Sequence, residues 1–221
     1  MFELHKYKSV IFDCDGVVLQ SNKIKTKAFA DTLKFENKNL VDIFISYHLQ
    51  NGGVSRYEKF KYFYKNIKKD SNYVYKTNIA VKKYASKVFN HLVSIDYVPG
   101  FLDVLNYFNK KKIPCYIVSG GDQQELHKVF KMRRIFTKFE KILGSPLSKF
   151  KNAEYLFELN LIDKPSLLFG DSLIDLKIAN KYEIDFCFIK QFSEWKFGIS
   201  VSKKLSHKYI YNFKDPVVSF K

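Results

Sequence analysis

The chain has 221 residues, 46% of them apolar, and 38 Lys and Arg against 22 Asp and Glu, a formal charge of +16. That length and apolar content fit one ordinary domain, or one with a modest insertion, and exclude a disordered chain. Three scattered cysteines, Cys14, Cys115 and Cys187, exclude a disulfide framework or thiolate metal site and fit a reducing compartment.

No apolar run approaches the roughly 18 residues of a membrane helix, and the start lacks the apolar stretch of a secretory signal. The expectation is a cytoplasmic protein with no membrane partner.

Residues 8–12, Lys-Ser-Val-Ile-Phe, read as a short buried strand running into Asp13-Cys14-Asp15-Gly16. From about 20 to 95 the periodicity predicts helices alone, over 22–36, 39–50, 55–69 and 73–93. Asn51-Gly52-Gly53 breaks that stretch and Pro99-Gly100 closes it. Beyond it a helix is predicted over 101–111 and a strand over 113–118, left through Ser119-Gly120-Gly121. A helix over 123–132 precedes a strand over 139–143 that ends at Gly144-Ser145-Pro146. A helix over 150–160 leads to a strand over 166–169, ending at Gly170-Asp171, then a helix over 172–180 and a strand over 186–189. Residues 191–221 are less regular, with an edge strand near Tyr209–Asn212.

Strands alternating with helices imply βαβ units and a parallel sheet with all strand C-termini on one edge. The fold class expected is α/β: a Rossmann-like core over 1–19 and 96–221, with an all-helical cap over 20–95. Open α/β sheets bind ligands at that edge, so Asp13, Asp15, Ser119 and Asp171 should converge on one crevice.

Half of the charge excess lies in residues 56–91, with ten basic side chains against two acidic. Aromatics interleave there: Tyr57, Phe60, Tyr62, Phe63, Tyr64, Tyr73 and Tyr75. Such a pattern suits single-stranded nucleic acid, but helical spacing explains most of it as a packed face. No nucleic-acid partner is expected.

Asp13-x-Asp15 places two carboxylates just past a strand end. One can attack phosphorus; the other, if its pKa is raised, can protonate a leaving oxygen and then activate water. Asp171 and Asp175, at i and i+4 in Gly170-Asp171-Ser172-Leu173-Ile174-Asp175, join Asp13 in an all-oxygen cluster suited to Mg²⁺. Ser119 with the N–H groups of Gly120 and Gly121 reads as a phosphate site at a helix N-terminus. A lysine near the next helix start, Lys149 with Lys151 as competitor, can neutralise a phosphoryl oxygen. Arg56, in Asn51-Gly52-Gly53-Val54-Ser55-Arg56, either reaches across the cleft to a substrate oxyanion or stands exposed at the head of a helix.

The order of these motifs at successive strand ends resembles the haloacid dehalogenase superfamily, in its phosphoglycolate phosphatase and β-phosphoglucomutase-like branch with a helical cap. That resemblance covers essentially the whole chain. It implies Asp13 as nucleophile, Asp15 as general acid/base, and Ser119 and Lys149 at the phosphoryl group. It further implies Mg²⁺ held by Asp13, the Asp15 carbonyl and Asp171, supported by Asp175, with Gly120 and Arg56 binding substrate. The Gly-Val-Ser-Arg stretch is similar to the substrate-reading loop of the sugar-phosphate branch.

The expected function is Mg²⁺-dependent hydrolysis of a small phosphorylated metabolite, a sugar phosphate or a small alcohol or amino-alcohol phosphate, by a monomer or weak dimer. Two alternatives stay open. One is a phosphomutase of the β-phosphoglucomutase type, against which Lys25 stands where those members carry a His. The other is a catalytically relict polyanion-binding protein.

Overall fold

The computed structural model describes residues 2–162 and 164–219. Met1, Asp163, Phe220 and Lys221, and with them the outer limits expected for the core segments, lie outside the described residues. The strands are β1 (Phe2–Glu3), β2 (Ser9–Phe12), β3 (Cys115–Asp122), β4 (Lys141–Ser145), β5 (Ser166–Gly170), β6 (Asp185–Ile189), β7 (Lys208–Ile210) and β8 (Val218–Ser219). The helices are α1 (Asn22–Thr32), α2 (Lys38–Gln50), α3 (Arg56–Tyr62), α4 (Tyr73–Ser94), α5 (Phe101–Lys110), α6 (Gln123–Met132), α7 (Lys149–Glu158), α8 (Leu173–Lys181) and α9 (Gly198–Lys204).

Six strands form one sheet in the order β4-β3-β2-β5-β6-β7, every pairing parallel. β1 and β8 pair with each other. Helices cover both faces of the sheet, which is why the strands read as continuous apolar runs. The chain winds from β2 through β3 to β4 on one side and resumes at β5 on the other. That reversal opens a crevice at the C-terminal ends of β2 and β5, the strands that deliver Asp13 and Asp171.

An aromatic cluster fixes the sheet. The Phe12 ring stacks on Phe169 at 5.3 Å and meets Phe101 edge-on at 5.5 Å. Phe213, from the irregular tail, closes on Phe12 at 6.3 Å and on Phe169 at 5.1 Å. The tail is therefore anchored in the core, and it supplies β7 at the edge.

Helices α1–α4 are built around a second set of rings. Phe29 lies 4.3 Å from Tyr84 and 5.1 Å from Phe60, and Phe44 lies 5.3 Å from Phe63. This set is continuous with the sheet core rather than a separate one. Of the interleaved aromatics of 56–91, Phe60, Phe63 and Tyr64 are buried, Tyr57 and Tyr73 half-buried, and Tyr62 and Tyr75 exposed. Packing accounts for most of that pattern.

Three boundaries depart from expectation. Helix α1 stops at Thr32 instead of 36, because Phe35, 89% exposed, gives a further turn nothing to pack against. The expected 55–69 helix splits into α3 and a wide turn over Phe63–Ile67, where Lys68 N–H donates to Phe63 C=O; Phe63 and Tyr64 both stay buried. Strand β3 runs through Ser119-Gly120-Gly121 to Asp122, with an irregular register against β4 between Val118 and Asp122. Asp122, not Ser119, then caps α6, accepting from Glu125 N–H at 2.7 Å.

Candidate active site

Asp13 leaves β2 fully packed, 4% exposed, and its carboxylate accepts from the Cys14 N–H at 2.6 Å. Lys149, the first residue of α7 and 1% exposed, reaches back across the strand ends. Its Nζ lies 2.7 Å from Asp13 Oδ2 and 2.7 Å from Asp175 Oδ1. Lys151 points away and pairs with Glu154 on the surface. The geometry therefore separates the two lysines.

Asp171 follows β5, and Asn22 Nδ2 donates to its carboxylate at 2.5 Å. Gly16, at φ +76°, lies so close that a Cβ there would sit 2.3 Å from Asp171 Oδ2. The turn after Asp15 thus needs glycine both for its backbone and for the carboxylate beneath it. Asp175 is engaged at both oxygens: Oδ1 accepts from Lys149, and Oδ2 from the Ser172 N–H and hydroxyl.

Asp13, Asp171 and Asp175 are all buried, and each offers an oxygen within 4.8 Å of the others. Burial pushes the Asp13 carboxyl up to about 7; Lys149 opposes that shift, and the Asp175 and Asp15 charges add to it. Asp171 is pushed well above the carboxylate range by burial and by the Asp13 and Asp175 charges. One lysine does not balance three buried acids. Hard oxygens carrying surplus negative charge fit a Mg²⁺-like cation, with Asp13 and Asp171 as ligands and Asp175 as the bracket behind them.

Asp15 is held in a cage of its own. Burial pushes its carboxyl up, but the Lys25 charge and hydrogen bond, with the Ser21 hydroxyl, outweigh that and hold it below its ordinary value. Lys25 Nζ lies 2.6 Å from Asp15 Oδ1 and 2.7 Å from Oδ2. These contacts favour the ionised carboxylate, the form that can accept a proton.

Ser119 does not stand at the helix N-terminus. It is 0% exposed, lies within β3, and its Oγ accepts from Gly121 N–H at 3.0 Å. The backbone of Gly120 and Gly121, not the Ser119 hydroxyl, faces the cavity. Gly120 sits directly beneath the helical insertion: a Cβ there would lie 2.2 Å from the Gly53 carbonyl oxygen.

Arg56 heads α3 but is not exposed there, and it lines the cavity. It is 5% exposed, and its guanidinium makes a two-pronged pair with Glu125 of α6. Beside it, Tyr57 Oη donates to Asp122 at 2.6 Å. These contacts join the insertion to the sheet layer.

The cavity runs from Asp13, Asp15 and Asp171 at the strand ends to Lys25, Arg56 and Lys59 among the helices. Sequence reasoning missed Asn22, Glu125, His48, Lys59 and Glu194. Only Glu125, acidic in the first turn of α6, carried a local signal, and that signal marks a helix start.

The fold is a parallel α/β sheet with buried acids at its central strand ends, and helices α1 and α3 contribute Lys25, Arg56 and Lys59 to the same cavity. Residues 10–189 match the family described as haloacid dehalogenase-like hydrolase, and the chain belongs to that family. No curated protein matches the chain. Among solved structures it is similar to a predicted phosphoglycolate phosphatase from Haemophilus somnus 129PT, at 16% identity and TM-score 0.72, covering 97% of this chain and 98% of that one. CbbY from Rhodobacter sphaeroides, solved with phosphate, is similar at 13% identity and TM-score 0.66, over 94% and 95% of the two chains. YfnB of Bacillus subtilis, assigned as a HAD-hydrolase and described as bound to magnesium, is similar at 18% identity and TM-score 0.59, over 83% and 89%. At such identities the likeness is one of fold. No described helix is long and apolar enough to cross a membrane.

Proposed function

We propose that the chain is a Mg²⁺-dependent phosphatase of small phosphate monoesters, working through an aspartyl-phosphate on Asp13. The observation that carries this reading is the buried Asp13 carboxylate, pinned by Lys149 at 2.7 Å and facing the cavity at the end of the central strand. Asp13 attacks phosphorus in line, the bond to the ester oxygen breaks, and the leaving oxygen takes a proton from Asp15 and departs as the alcohol. Water then attacks the phosphoryl group, and the Asp13 carboxylate is restored with release of phosphate.

Asp15 takes the proton of that water. The Lys25 and Ser21 contacts favour the ionised form that this base step needs, and the proton gained here is the one given to the leaving oxygen of the next ester, so the cycle balances. Lys149 holds Asp13 in place and places positive charge beside the phosphoryl oxygens, and the N–H groups of Gly120 and Gly121 face the same space. When bound by Asp13, Asp171 and the Asp15 carbonyl, Mg²⁺ supplies further charge to those oxygens. Residues 20–95 act as the cap domain over residues 1–19 and 96–221, and exclude water from the site.

CbbY with phosphate and YfnB with magnesium lend support at the level of the fold. The pairing of Arg56 with Glu125 engages one group that a phosphomutase could have used at its second phosphate site. The test is a panel of phosphate monoesters with and without Mg²⁺, with Asp13→Asn as blank. Mg²⁺-dependent release of phosphate that the variant lacks is expected. Isomerised sugar phosphate in place of free phosphate, or RNA binding without hydrolysis, would refute the reading.

A further inference from the structure

Three cations line the cavity on its helical side, and two of them hold carboxylates. Lys25 pairs with Asp15, and Arg56 with Glu125. Lys59 does not. It is 3% exposed and makes no salt bridge among the described residues; its Nζ contacts His48 Nδ1 at 2.7 Å and the His48 carbonyl at 3.4 Å. The Phe29 ring lies 5.5 Å away. An ammonium has three donors, and His48 takes at most two of them. With no anion beside it, burial pushes the Lys59 amine down to about 7; an oxyanion brought by a ligand would complete the pair and favour the ammonium.

The surroundings of Lys59 are built rather than incidental. The Thr26 hydroxyl spends its one proton on Glu194, so His48 Nε2 carries the ring proton and Nδ1 is left to accept from Lys59. Nε2 lies 2.7 Å from Thr26 Oγ1, to which it donates. The Thr26 hydroxyl in turn donates to Glu194, at 2.8 Å to Oε2. Burial and the Lys59 charge hold the His48 ring near 2, so it stays neutral and the direction of the chain is fixed. Three helices and the loop after β6 thus combine to hold the Lys59 amine against the cavity.

We propose that Lys59 is a specificity-determining residue, receiving a second oxyanion on the substrate, distal to the phosphoryl group, with His48 and Thr26 as positioning residues. The substrate class is then a small phosphate monoester bearing a carboxylate or a second phosphate, rather than a neutral sugar or amino-alcohol phosphate. This rests on the phosphatase reading above.

The experiment measures binding of non-hydrolysable phosphonates by calorimetry, to wild type and Lys59→Met, with Mg²⁺ present. Phosphonoacetate supplies the carboxylate, methylenediphosphonate the second phosphate, and ethylphosphonate neither. Wild type is expected to favour one dianionic probe over ethylphosphonate by about ten- to a hundredfold, the range of a charge-assisted hydrogen bond. Which probe wins identifies the oxyanion. Lys59→Met is expected to collapse that ratio towards one, and Thr26→Val to reduce it. The melting temperature of Lys59→Met is expected to hold or rise, as a methionine buries without an ionic partner; a marked fall would assign Lys59 a structural role and overturn the proposal. Equal binding of all three probes by wild type, or a preference that survives Lys59→Met, overturns the role of Lys59 alone. Binding of none of them overturns the phosphatase reading along with it.

Discussion

Arg56 and Glu125 lie 69 residues apart in sequence, and their side chains are only 4% and 8% exposed. Substituting Glu125→Leu leaves a guanidinium, charged at every accessible pH, buried without its partner. Breaking one side of a buried pair costs about 3–5 kcal/mol. For a chain of this size each kcal/mol moves the melting temperature by about 2–4 °C, so a fall of about 6–20 °C is expected. Screening does not discount the figure, because neither group reaches solvent. Arg56→Met leaves the Glu125 carboxylate in the same predicament. The double variant Arg56→Met, Glu125→Leu removes both charges and is expected to recover most of the loss. Thermal melts of the four proteins, checked by urea unfolding, supply the cycle. Single variants within about 1 kcal/mol of wild type, or strictly additive losses, would refute the claim that this pair joins the insertion to the sheet layer.

Other consequences can be checked with simpler comparisons. Lys149→Met is expected to lower phosphate release by at least about a hundredfold, the size of effect seen when one electrostatic donor is removed. Lys151→Met, on the surface, is expected to change stability by no more than about 0.5 kcal/mol and to leave turnover alone; the reverse outcome would reassign the lysine. Mg²⁺ at a hundredfold its dissociation constant is expected to stabilise wild type by about 2.7 kcal/mol, and Asp171→Asn to lose most of that shift. His48 keeps its ring neutral, near 2 against an ordinary 6.5, so below pH 6.5 the unfolded chain binds a proton that the folded chain refuses. Stability therefore falls with pH from 6.5 downward, by roughly 2 kcal/mol from this group at pH 5. His48→Gln is expected to flatten that limb of the curve, and an unchanged slope would count against the buried neutral ring.

The sheet was legible in sequence because its strands are buried on both faces, so that Val10–Phe12 or Leu167–Phe169 stand out as apolar runs against polar strand ends. The convergence of Asp13, Asp171, Lys149 and Asp175 followed from topology, since parallel strands put their C-termini on one edge. What stayed hidden was non-local or irregular. The extension of β3 through Ser119 depends on a register shift against β4 that no local pattern encodes. The state of Asp15 depends on Lys25, one lysine among many until the fold sets it 2.6 Å away. Arg56 looked available because Glu125 lies in another layer. Glu194 and Phe213 sit in the tail, where no periodicity marks the residues that return to the site and to the core.

The most direct test of the covalent route is to trap it. Protein quenched in acid during turnover of its best monoester, then digested and mass-analysed, is expected to carry a phosphoryl group on the peptide containing Asp13, and to lack it in Asp13→Asn. Turnover with no phosphorylated peptide, or with the label on another residue, would contradict the assignment of Asp13 as nucleophile.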